Sequence, residues 1–129
     1  MFAKICIRLL ICFAFVNLAL SSGCKSKDDL PKSRSVVETA LNSWKNGEDP
    51  KLLANQNIEM TDPDWAAGAK LLDFTVKDAS SQPQQGPRVI VVLNLQDRAG
   101  RKKESEIAYE VIQSGKQSKV GRDAFHVGK

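Results

Sequence analysis

The hydrophobic period of the chain changes near residue 69, and that change restricts the fold more than any other feature of the sequence. Before it, apolar residues recur at helical spacing; after it, they recur at every second position. A helix buries one stripe and a strand one face, so this order predicts an α+β domain. Val36, Ala40 and Trp44 stand four residues apart, with Val37 and Leu41 beside them. That is an amphipathic stripe. Ser35 with Glu38 reads as a capping box and Gly47 as a stop, predicting a helix over 36–46. Asp49-Pro50 and Asp62-Pro63 each pair a capping carboxylate with proline at the first helical position. The first predicts a short helical turn over 50–54 that buries Leu52 and Leu53. The second predicts a single turn running through Asp64 and Trp65.

Past residue 69, Leu72, Phe74 and Val76 alternate with Asp73, Thr75 and Lys77. Val89, Val91, Leu93 and Leu95 form a second alternating run, and Ile107, Tyr109 and Val111 a third. Each reads as a strand with one face inward. Asp97 to Gly100 suits a hairpin turn, with Asp first and Gly fourth, and Ser114-Gly115-Lys116 suits another. The segment 77–87, KDASSQPQQGP, reads as a long exposed loop, and residues 117–122 as a last short strand. The expected architecture is α+β: one N-terminal helix packed on a curved antiparallel sheet of about four strands. Helix first and sheet after is also the order of cystatin-like and NTF2-like folds, a likeness at the level of fold that carries no function by itself.

The amino end has a different character. Lys4 and Arg8 precede a run from Leu9 to Leu20 that is apolar apart from Asn17. Basic residues, an apolar stretch and then small residues are the order of a secretory signal. Between Arg8 and Lys25 lie 16 uncharged residues, ending in Ser21-Ser22-Gly23. A membrane-spanning helix needs roughly 20 predominantly apolar ones. The stretch LSSGCK resembles the lipobox of bacterial lipoproteins, in which a Cys after a small residue is diacylated and becomes the mature N-terminus. Gly23 and Ser22 match the pattern; Ser21 stands where Leu is usual, and Leu20 is one place early. The resemblance implies lipidation at Cys24, a membrane partner through that lipid, and a place in the cell envelope. Lys25 after the Cys, rather than Asp, resembles sorting to the outer membrane.

Cysteine usage agrees with a lipid on Cys24. The chain has three Cys, and Cys6 and Cys12 lie inside the signal. Cleavage leaves Cys24 with no internal disulfide partner and excludes Cys-based zinc sites. The expected organisation is a signal over 1–23, a flexible tether over 24–34, one α+β domain over 35–123 and a tail over 124–129. Removing 23 residues from 129 leaves 106, enough for one small domain. Lys4 and Arg8 leave with the signal, so 19 basic side chains fall to 17 against 15 acidic ones. The basic pI of the full chain therefore belongs partly to the signal, and nucleic acid is not an expected partner.

Residues able to do chemistry are few. His126 is the only His and stands four residues from the end, poorly placed as a general base. Without it no Ser-His-Asp arrangement exists. Asp62 and Asp64 offer two carboxylates for Ca²⁺ or for acid–base work, but Ca²⁺ takes six or more oxygens, and helix capping accounts for both. Trp65 and Tyr109, with Asp62 and Asp64, are the candidate lining of a small-ligand pocket; the competing reading for the aromatics is core. No cofactor, metal or catalytic set is expected. Arg98, Arg101, Lys102 and Lys103 gather at a hairpin tip, with Lys116, Lys119 and Arg122 expected nearby. They read as a solvated turn, or as a surface for anionic lipid or wall polymer.

Trp44 with Gly47, Leu52-Leu53, Asp62-Pro63-Asp64-Trp65 with Gly68, and the Tyr109 and Val120 strands together resemble small exported proteins and lipoproteins of planctomycete-type bacteria. That resemblance implies a domain-sized unit and no particular chemistry. Gln117-Ser118-Lys119-Val120-Gly121 approaches the Gln-x-Val-x-Gly hairpin of cystatins, with Val one place late, which argues against cysteine-protease inhibition. The expected function is a lipid-anchored envelope protein that binds another envelope protein or wall polymer. The alternative is an NTF2-like small-ligand or enzymatic pocket.

Overall fold

A computed structural model describes residues 29–82 and 85–123. Cys24, the signal and His126 lie outside the described residues. The elements are helix α1 (Asp29–Lys45), a 3₁₀ helix (Pro50–Gln56), β1 (Ile58–Thr61), helix α2 (Pro63–Ala66), β2 (Lys70–Gln82), β3 (Gln85–Gln96), β4 (Lys102–Ser114) and β5 (Gln117–Arg122). The five strands form one open sheet in the order β1-β5-β4-β3-β2. The protein is therefore α+β, as the change of period predicts. Its sheet is mixed rather than purely antiparallel, and it has five strands rather than four.

Helix α1 begins at Asp29, inside the segment expected to be tether. Ser35 and Glu38 are thus interior residues rather than a capping box. Pro31 falls in the first turn, where its missing N–H breaks no helical bond. Ser33 is fully buried within this added stretch of helix. Val37, Ala40, Leu41 and Trp44 are buried as the stripe predicts, against Val89, Val91, Leu93 and Leu95 of β3. Each fully buried residue of Leu or Val size stabilises the fold by about 1.5–3 kcal/mol.

Asp49 caps the 3₁₀ helix by accepting from the Lys51 N–H, and Asn57 ends it in the left-handed region. Leu53 is buried, but Leu52 is 52% exposed. One turn of helix faces the core on one side, so adjacent leucines cannot both enter it. The turn at Asp62 forms as expected.

On β2 the inward residues are Leu71, Phe74, Val76 and Ala79, opposite Leu95, Leu93, Val91 and Val89. The steps from Leu71 to Phe74 and from Val76 to Ala79 each contain a register shift, at Leu72 and Lys77. Each extra residue bends the strand and restores the inward face after it. Leu72 is accordingly an outward bulge residue, not the start of the inward row. The expected loop 77–87 is largely strand, because β2 and β3 continue to Ser81↔Pro87. Pro87 lies just outside the ladder to β4, which begins at Arg88, so its missing N–H breaks no pairing there. The Asp97 turn and the two-residue turn with Gly115 at φ 61 both form as expected.

Strand β1 has no counterpart in the sequence reading. It pairs parallel to β5, with Ile58↔Ser118 through Thr61↔Gly121. β5 therefore lies between the fourth and the first strands, far apart in sequence.

Candidate functional site

The register brings three sequence-distant residues together. Parallel pairing of Thr61 with Gly121 places Asp62 beside Arg122. Antiparallel pairing of Tyr109 with Arg122 brings the phenol to the same point. Asp62 Oδ1 accepts from the backbone N–H groups of Asp64 (2.8 Å) and Trp65 (3.1 Å), capping α2. Its Oδ2 accepts from the Tyr109 hydroxyl at 2.6 Å and from Arg122 Nε at 2.8 Å. Arg122 Nη2 donates to Asp62 Oδ1 at 2.9 Å and to Asp64 Oδ2 at 2.6 Å. Lys103 Nζ then donates to Asp64 Oδ1 at 3.0 Å. The Asp62 carboxylate is wholly enclosed.

An ionised carboxyl offers about four lone-pair sites. Asp62 accepts five hydrogen bonds, so no site is left for a substrate proton. Burial, with the Asp62 charge beside it, pushes the Tyr109 hydroxyl far above its ordinary range and keeps it protonated. Burial opposes the charge on Arg122, but the bonds to Asp62 and Asp64 outweigh it and raise the guanidinium pKa. Burial also opposes the charge on Asp64, and the bonds from Arg122 and Lys103 outweigh it, lowering that pKa. The cluster is thus a saturated clasp that ties α2, β4 and β5 together.

The four residues expected to line a pocket all lie in this region. Asp62 and Tyr109 are buried against each other. Trp65 stacks on Trp44, with ring centroids 5.3 Å apart and planes within 5°. Trp44 Nε1 donates to the Ala69 carbonyl at 2.9 Å. Asp64 borders a cleft of about 380 Å³ between the α2 turn and the β3–β4 turn, lined also by Ala67, Ala69, Asp97, Arg98, Arg101, Lys102 and Lys103.

Arg122 is the site residue that the sequence reading assigned elsewhere, to a basic cluster. Its signal is the parallel register, which no local pattern contains. That cluster does not assemble as expected. Lys116 stands in the turn at the other end of β4 from Arg98, and Lys119 pairs with Glu59 on the first strand. A second enclosed pair joins Arg88 to Asp123 at 2.9 Å. Among the described residues, no group of three or more His, Cys, Asp or Glu gathers as for a metal. No described helix is long and apolar enough to cross a membrane. No family model, curated protein or solved structure matches the chain.

Proposed function

We propose that the chain is a lipid-anchored cell-envelope protein whose domain binds a partner instead of transforming a substrate. The observation that carries this reading is LSSGCK, a lipobox-like border between an apolar signal and a charged mature segment. The lipid on Cys24 tethers the domain to a membrane, the outer membrane in preference to the inner. The partner is another envelope protein or a wall polymer, not nucleic acid. Saturation of Asp62 supports a binding role, because the enclosed carboxylate has no lone pair for acid–base work. The start of α1 at Asp29 adds a limit on reach. Five residue steps from Cys24 span at most about 18 Å, so the domain stays close to the headgroups.

The second reading is an NTF2-like unit with a small-ligand or enzymatic pocket near Trp65. The helix laid on a bulged, curving sheet supports it. The internal bonding of Asp62 and Tyr109 counts against those two as ligand groups.

Intact-mass spectrometry of the membrane-extracted protein tests the leading reading. It expects an N-terminus at Cys24 carrying a diacylglycerol thioether. A mass that retains residues 1–23 refutes it.

A further inference from the structure

The cleft beside Asp64 is strongly charged. Four cations line it, Arg98, Arg101, Lys102 and Lys103, against the carboxylates of Asp64 and Asp97. The carboxylates position cations without using them up. Asp64 takes one bond from Lys103 Nζ, leaving that ammonium two further donors. Asp97 accepts from the backbone N–H groups of Ala99 and Arg101, which sets the turn, and from Arg101 Nε. The outer nitrogens of Arg101 stay available. Among the described residues, Arg98 and Lys102 make no ion pair. Arg98 lies across Gly68, where an added Cβ would come within 2.5 Å of its Nε. Gly68 has φ +83, so its lack of a side chain serves both the turn and the seat of the guanidinium.

We propose that this cleft binds an oxyanion, the carboxylate or phosphate group of an acidic ligand in the envelope. A concave site lined by four cations and two carboxylates, an excess of two positive charges, fits that chemistry. A membrane surface fits it less well. Trp44 bonds to Ala69 and Lys45 to Asp73, so the carboxyl end of α1 lies at the cleft. The 17-residue helix is about 25 Å long, and the chain leads back to Cys24 from its other end. On the lipid-anchored reading, on which this orientation rests, the cleft stands at the end of the domain remote from the anchor.

The test is calorimetric titration of the full chain, extracted in nonionic detergent, with tripolyphosphate and with trigalacturonate. Saturable one-site binding of either is expected, and the one that binds identifies the group as phosphate or carboxylate. Arg98→Ala with Lys102→Ala should weaken it by about tenfold or more. Lys51→Ala, an exposed cation on the 3₁₀ helix, should leave it unchanged. No binding of either anion, or equal weakening by Lys51→Ala, overturns the proposal. A second measurement uses the full chain in phosphatidylcholine vesicles. Clustering by added phosphatidylglycerol vesicles that is lost in the double variant overturns it in favour of a lipid surface. Because the titration reads the cleft whatever Cys24 carries, its failure is separate from failure of the anchor.

Discussion

Asp62→Asn isolates the central interaction of the fold, because the shape is kept and the charge removed. The amide can still accept at Oδ1 and cap α2. Its NH₂ group, however, then faces Arg122 Nε, an obligate donor 2.8 Å from the present Oδ2, and the Tyr109 hydroxyl, 2.6 Å from it, which must turn round to accept. Breaking an enclosed ion pair by removing one partner costs about 3–5 kcal/mol. The Arg122 side chain is 22% exposed and keeps Asp64, which sets the expectation at the low end, about 3 kcal/mol. A domain of this size has a total stability of about 5–15 kcal/mol. Each kcal/mol shifts its Tm by about 4–8 °C, so the midpoint should fall by roughly 12–24 °C. Thermal and urea unfolding followed by the fluorescence of the stacked tryptophans measures it. A variant within about 1 kcal/mol of the parent would falsify the view that the clasp ties α2 to β4 and β5.

Two further outcomes follow from the same structure. Tyr109 is the only Tyr, so tyrosinate absorbance reports it alone. Its pKa is raised when folded, so its contribution is complete below the unfolded value near 10.0 and declines as pH rises above it. The folded chain should show no tyrosinate well beyond pH 10, whereas the urea-unfolded chain titrates near it; matching curves refute the enclosed phenol. Leu53→Ala should cost about 2–5 kcal/mol and Leu52→Ala less than about 0.5, measured by urea unfolding, since one is enclosed and the other 52% exposed. Equal costs refute the assigned face of the 3₁₀ helix.

What the sequence discloses is what local chemistry controls. The stripe from Val37 to Trp44, the alternation of Val89 to Leu95 and the two Asp-Pro starts are each written within a few residues, and each takes its expected form. Charge and proline made residues 29–34 resemble a tether, although Pro31 is compatible with a first turn and Ser33 is enclosed. Strict alternation misplaces Leu72, because a bulge is set by the partner strand and not by the bulged residue. The four residues of β1 are too few to show a period. With β1 hidden, the meeting of Asp62 and Arg122 is hidden too, even though the sequence points to Asp62, Asp64, Trp65 and Tyr109 as one neighbourhood.

The parallel ladder between β1 and β5 also has a consequence for the order in which the chain folds. Every other strand pair can zip from a nearby turn, but β5 has to slot between β4 and a strand some sixty positions upstream, as Ile58↔Ser118 records. Loop closure over such a separation is slow, since its entropy cost precedes the contacts that offset it. Until residue 122 arrives, Asp62 has no guanidinium to meet and α2 no tie to the sheet's closing strand. A chain emerging from the ribosome therefore completes its sheet only once β5 has been made.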